Sequence, residues 1–400
     1  MDRHSLFSEP RHPRERVRIA VSTIGRFWLF DLARQLRALG DEVQLFTGYP
    51  LMKVDADLRP ITRTRPWWTL ATYARMLVAP PVTGTWWAQR NLDDFGSWLS
   101  RTLDPKSVDI LDAIAATGLE AGRALHREGK RWICNRGSTH ILAQKALLEE
   151  EHRRWGARAP DFSRGIDRCL AEYEESDAIV VPSHFVKHSF GEHGVPLDKV
   201  SVCPYGVDLT MFAPQPKQDG RFRVLFVGAY SLRKGIGDLF EAVRPLVTKR
   251  QCELWMVGNE TPDGRPLVER NADIIINKGS QPRRSLSWFY SQATVLVLPS
   301  VEEGLALVLA QAMACGVPVI ASENTGARDL IADGVEGFIV PPRAPEQIRE
   351  RLQWMMDNPE RRNEMAAAAR ARVADFGGWN EFTQASRAIY RRLVAQPVAY

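Results

Sequence analysis

Short stretches of this sequence carry side chains whose types and spacing suit chemistry on an anionic substrate. Glu302 and Glu303 stand directly before Gly304 and an apolar run, Leu305–Ala314, that reads as a helix. The acids suit the positive end of its dipole. A helix that follows a glycine at the carboxyl edge of a parallel sheet presents free backbone N–H groups to an anion, most often a phosphate. Arg233 and Lys234 precede Gly235 at the start of another helical run, and Arg136 and His140 bracket the loop Gly137-Ser138-Thr139. A phosphate held between a strand end and a helix start points to a nucleotide.

The elements around Glu303 alternate as strand, loop, helix, strand, loop, short helix and strand from Leu296 to Pro341. Thr294–Leu298 is a β-branched apolar run closed by Pro299 and Ser300, and Cys315-Gly316-Val317-Pro318 stops the helix before the strand Val317–Ala321. This stretch closely resembles the signature of family 4 glycosyltransferases, retaining enzymes of the two-domain GT-B fold. In that signature a Glu before the Gly is followed eight positions on by a second Glu; here the first is Glu303 and the eighth position holds Gln311. The resemblance implies that Glu303 lies near the donor sugar and that Gly304, Leu305 and Ala306 face the donor diphosphate. It also implies that Gln311 pairs with the ribose. Gln keeps an acceptor and gains two donors but loses charge assistance, which roughly halves the strength of such bonds.

The resemblance extends over nearly the whole chain from Val17. It implies a first Rossmann-like domain on the acceptor side (17–210), a linker (211–221), a nucleotide-sugar-binding domain (222–378) and a last helix (379–400) that crosses back. Val17–Thr47 opens as strand, Thr23-Ile24-Gly25 turn, amphipathic helix Phe30–Leu39 and strand Glu42–Thr47. Gly25 is either a contact to acceptor and diphosphate, as the family implies, or a structural turn. The strand Arg131–Asn135 runs into Arg136 and His140, where the family places a basic or imidazole group at the donor–acceptor junction. His140 either orients an acceptor hydroxyl or caps and packs locally. Val200–Asp208 matches the family's strand and Pro-Tyr-Gly-Val-Asp exit.

In the second domain, Gly228–Gly235 follows the strand Phe222–Val227. Lys234 matches the family's diphosphate-binding lysine. Ala229 occupies the place of the usual arginine, and Arg233 can supply that charge as a planar fork. Asn277-Lys278-Gly279 stands where the family's loop covers the base, so Asn277 and Gly279 are candidates there. Thr325 and Gly326 are candidates for the donor sugar. Asp329 replaces the family's usual Glu.

Composition narrows the classes. The 400 residues, 44% hydrophobic and 25% charged, describe a globular two-domain protein. Its five cysteines are scattered and lack CxxC spacing, as expected of reduced thiols in a cytosolic protein. Residues 1–16 read as a loose tail rather than a signal peptide. No GxGxxG is present, which argues against a nicotinamide-dependent oxidoreductase. His184 and His188 lack the companions of a metal motif and read as a solvated helix face. Asp55-Ala56-Asp57 lies outside the second domain, so no metal and no other cofactor is expected.

Arg59–Arg90 contains Arg59, Arg63, Arg65, Arg75 and Arg90, no acid, and the pairs Trp67-Trp68 and Trp86-Trp87. The pattern fits either an inner membrane surface that gives access to a lipid-linked acceptor, or buried tryptophans with a solvated basic rim. Net charge of +5 with no binding motif does not support a nucleic-acid partner. The expected partners are a nucleotide sugar and a hydroxyl acceptor; a non-catalytic nucleotide-sugar-binding protein of the same fold is the alternative.

Overall fold

The computed structural model describes residues 16–78, 84–162 and 165–396. Most of the proposed tail, and the side chains of Arg75, Trp86 and Trp87, lie outside the described residues. The first domain is built on a seven-stranded parallel sheet: β1 (Arg18–Thr23), β2 (Glu42–Thr47), β3 (Thr62–Thr64), β4 (Ile110–Ile114), β5 (Arg131–Asn135), β6 (Ala178–Val181) and β7 (Val200–Val202), in the order β3-β2-β1-β4-β5-β6-β7. The second has six parallel strands, β8 (Arg223–Val227), β9 (Glu253–Val257), β10 (Ile275–Asn277), β11 (Val295–Leu298), β12 (Val319–Ser322) and β13 (Gly337–Val340), in the order β10-β9-β8-β11-β12-β13. Helices cover both faces, which is why the central strands are apolar runs rather than alternating ones: Val295, Leu296, Val297 and Leu298 are all fully buried. This is the GT-B architecture that the sequence leads one to expect.

The last helix, Trp379–Ala395, returns to the first domain. Arg387 Nη2 meets Asp41 Oδ1 at 3.0 Å, and the Tyr390 hydroxyl donates to Asp112 Oδ2 at 2.6 Å. Asp112 is fully buried on β4. Burial pushes its carboxyl up to about 6, against hydrogen bonds from Tyr390 and Asn135 that favour the charged form. A carboxyl raised from 3.8 stabilises the fold while protonated, so its contribution is complete below about pH 4 and is lost as pH rises through about 6. Asp112→Asn, which keeps an acceptor for Tyr390, should gain on the parent by roughly 2–3 kcal/mol across that window. Melting profiles of the two proteins between pH 4 and 7 check this; parallel curves would contradict it.

Candidate active site

In each sheet the strand order reverses beside its first strand, β1 lying between β2 and β4 and β8 between β9 and β11. Ligands of open parallel sheets bind outside the carboxyl ends of the strands at such reversals. Here the two carboxyl edges meet. The loop after β11 packs onto the loops after β5 and β6: the Ser183 hydroxyl donates to the Gly304 carbonyl at 2.6 Å, and a Cβ on Gly304 would stand 1.9 Å from the Gly137 carbonyl oxygen. Gly304 is therefore a glycine because two backbones touch there.

Around that contact lies a charged cluster. Glu303, largely buried, forms a close ion pair with Lys234 Nζ and a looser one with Arg233 Nη2 at 3.6 Å. Both cations sit in the short turn after β8, and the left-handed Gly235 that ends it (φ 68°) leaves no room for a Cβ beside the Pro299 carbonyl. The Val301 N–H donates to the Arg233 carbonyl at 2.9 Å, so the strand-end loops of β8 and β11 are stitched together. The arrangement places two cations and an acid at the mouth of a phosphate-type cradle.

Glu302, whose part the sequence does not reveal, is fully buried. Its Oε1 accepts from the Thr139 N–H (2.9 Å) and hydroxyl (3.0 Å) of the first domain; its Oε2 accepts from Gln144 Nε2 (3.1 Å) and Arg233 Nε (2.9 Å). Burial pushes its carboxyl up, but Arg233, the Thr139 N–H, Gln144 and Arg136 outweigh that and hold it below the ordinary value. Glu302 is an anion shared between the domains.

Several expected contacts are corrected. The helix begins at Leu307, because Ala306 is held in extended conformation and its N–H donates to the Thr325 carbonyl at 3.1 Å. Ala306 therefore has no N–H to offer a diphosphate, whereas Gly304 and Leu305 remain candidates. Gln311 is buried with its Oε1 accepting from the Tyr290 hydroxyl at 2.8 Å, which leaves its amide N–H groups and the second lone pair of that oxygen for a ribose. Arg136 does not reach into the cleft: its Nε donates to the Thr139 carbonyl (3.1 Å) and its Nη2 to Gln144 Oε1 (2.8 Å), shaping the loop that grips Glu302.

His140 is likewise moved out of the catalytic set. It is the N-cap of the helix Ile141–Arg154, its Nδ1 accepting from the Leu142 N–H at 3.3 Å, and its ring packs against Tyr173, Phe190 and His193. Burial, with repulsion from His193 and Arg136, lowers it to about 4, which keeps the ring neutral and able to accept. His140→Asn, which preserves a capping oxygen, should lower stability by about 1–2 kcal/mol through lost packing and leave transfer within roughly threefold. A hundredfold loss at unchanged melting temperature would return His140 to the cleft.

The remaining candidates are placed as follows. The Gly25 carbonyl accepts from the Thr23 hydroxyl at 3.0 Å in the turn after β1, at the reversal point. Asn277 Oδ1 accepts from the Tyr230 hydroxyl (3.0 Å) and the Gly279 N–H (2.9 Å), which fixes the loop after β10. The Thr325 hydroxyl is turned inward onto the Ser322 carbonyl, and Gly326 follows it in left-handed conformation, against Gly304. His184 is not simply solvated: its N–H and ring both meet Asp329 across the domain boundary, which gives Asp329 a role in this chain. Asp55 and Asp57 are taken up by ion pairs with Arg34, and Asp55 also by Arg26.

Two facing parallel-sheet domains with this cation–acid cluster between them define a glycosyltransferase of the GT-B class. The family model described as Glycosyltransferase Family 4 matches residues 28–211, and that described as Glycosyl transferases group 1 matches 208–372. The chain belongs to the family 4 glycosyltransferases. Among its relatives is a D-inositol 3-phosphate glycosyltransferase from Frankia alni, 27% identical over 92% of this chain and 94% of the relative. An alpha-maltose-1-phosphate synthase from Mycolicibacterium smegmatis is 26% identical over 65% of this chain and 74% of its own length. In fold it is similar to sucrose-phosphate synthase from Thermosynechococcus elongatus (TM-score 0.70, 20% identity, 96% of this chain and 100% of that one). It is also similar to Anabaena HepE, solved with UDP-glucose (TM-score 0.67, 15% identity, 93% and 99%).

Proposed function

We propose that this enzyme retains anomeric configuration as it moves a sugar from a nucleoside-diphosphate sugar to a hydroxyl acceptor, a glycan or lipid-linked intermediate of cell-envelope or exopolysaccharide synthesis. The observation that carries this reading is the Lys234–Glu303–Arg233 cluster at the meeting of the two carboxyl edges. With donor bound, the diphosphate takes up Lys234 and the free edge of Arg233, and Glu303 is released toward the sugar. The acceptor oxygen bonds to the anomeric carbon on the face that the diphosphate leaves. The carbon–oxygen bond to phosphate breaks, and the acceptor proton passes to the departing phosphate oxygen. The two cations neutralise the charge that develops there, so on this reading they supply the electrostatic stabilisation and no metal takes part.

A surface feature supports a lipid-linked acceptor. Phe27, Leu51, Met52, Trp67 and Leu70 are exposed on segments that adjoin at the acceptor-side edge, where Gly48 lies against both Ile24 and Thr69. Exposed Lys53, Arg59 and Arg63 flank them. Apolar side chains ringed by cations suit an anionic bilayer surface, on this reading the inner face of the cytoplasmic membrane. Among the described residues no helix is long and apolar enough to cross a membrane. NMR of the sugar released or transferred from UDP-, GDP- and ADP-glucose tests the reaction: product first formed as the donor's own anomer supports it, and the opposite anomer contradicts retention. Flotation with phosphatidylglycerol vesicles tests the surface, which predicts binding that weakens in Trp67→Ser and Met52→Ser.

A further inference from the structure

Glu302 has no place in the reaction above, yet it is the most heavily bonded acid at the site. It joins two things that catalysis must coordinate. On one side it holds Arg233 by Nε alone, accepting there with both its carboxylate (2.9 Å) and its own carbonyl (3.0 Å). The two terminal nitrogens form the outer edge, with Nη2 in only a loose ion pair with Glu303 at 3.6 Å, and the Arg233 side chain is still 34% exposed. On the other side it holds Thr139 and Gln144, and these two residues are themselves tied together by Arg136. A continuous set of bonds therefore runs from the acceptor-side loop through one buried carboxylate to a cation of the donor side.

We propose that Glu302 is a positioning residue that couples occupancy of the diphosphate site to the order of the loop Arg136–Gln144. It aims the outer edge of Arg233 at the diphosphate and, through the same carboxylate, clamps the loop across the domain boundary. The inference rests on the reading of Arg233 as a diphosphate ligand. Physically, a guanidinium fixed at one edge loses less freedom on forming a bidentate bond at the other. A diphosphate that anchors Arg233 then firms Glu302, and with it Thr139 and Gln144. Binding at either end strengthens the other by the same factor.

The test uses the full chain with UDP, GDP and ADP as probes, each compared with its free nucleoside, by titration and by hydrogen exchange of the segment 137–144. Glu302→Gln keeps an acceptor for Thr139 but sets an amide donor or a neutral oxygen against Arg233. It is expected to weaken the bound diphosphate roughly 5- to 150-fold, to leave the nucleoside within about twofold, and to abolish diphosphate-induced protection of 137–144. Arg233→Ala should weaken the diphosphate as well, and adding Glu302→Gln to it should change little more. Glu302→Asp, which restores the charge, should recover part of both effects even if the glutamine variant folds poorly. Equal loss for diphosphate and nucleoside, or unchanged loop protection in Glu302→Gln, would overturn the inference. Diphosphate binding that ignores Arg233→Ala, or is missing from the parent chain, would instead overturn the donor-site reading on which it rests.

Discussion

Replacing Glu303 by alanine is expected to lower transfer at saturating donor by about 10²–10³-fold, the range seen when a single group aimed at the reacting centre is deleted. Glu303 is largely buried at the point where the two carboxyl edges meet, and it forms ion pairs with both cations assigned to the diphosphate. The alanine variant also frees Lys234 and Arg233 from a competing anion. Binding of nucleoside diphosphate should therefore hold or tighten while turnover collapses. That opposite movement of affinity and rate separates a role near the sugar from a role in holding the fold. Glu303→Gln should fall between parent and alanine variant. A turnover loss accompanied by an equal loss of diphosphate affinity would contradict the assignment.

The second large effect is structural and local. Gly304→Ala would place a methyl group 1.9 Å from the Gly137 carbonyl oxygen and 2.9 Å from Pro182 Cγ, backbone and ring atoms that cannot swing aside. Gly304 is not among the residues with positive φ, so alanine suits its backbone and the second domain can still form. The clash is with the other domain. The variant should fold, lose the Ser183–Gly304 bond and the Glu302 grip on Thr139, and open the cleft. Transfer should drop at least a hundredfold, with a larger radius of gyration in solution scattering and a loss of several kcal/mol in stability. Normal scattering and normal transfer would show that the closed contact is dispensable.

Much of the fold is legible in the sequence because its strands are pure apolar runs closed by Gly, Pro and Ser. Thr294–Leu298 and Val317–Ala321 differ from β11 and β12 by a residue or two at their ends. Other elements leave no such signature. The strand Thr62–Thr64 is three residues of Thr and Arg at the sheet edge, and its pairing with β2 rather than its composition makes it a strand. The helix Ile141–Arg154 is long but weakly amphipathic, since it carries Glu150, Glu151 and Arg154, which pair with Arg343 and Asp238 of the second domain.

The site divides along the same line. Lys234, Glu303 and Gly304 are legible because each stands at its place in the signature of the family that the sequence resembles. The roles of Glu302, Gln311, His140 and Asp329 depend on partners far away in sequence: Thr139 and Gln144, Tyr290, the ring cluster of Tyr173, Phe190 and His193, and His184. A pattern reader sees Glu302 as a helix-start acid. Only the closed pair of domains shows that it belongs to both.

The most direct test of the donor site is calorimetric titration of the parent chain and Lys234→Ala with UDP, GDP and ADP, each with excess EDTA. One of the three is expected to bind the parent at a single site with EDTA present. Lys234→Ala should weaken it by roughly 1.5–3 kcal/mol, the worth of a charge-assisted bond, or about 10- to 150-fold. Binding that vanishes with EDTA, or that Lys234→Ala leaves unchanged, would contradict a cradle in which Arg233 and Lys234 carry the charge.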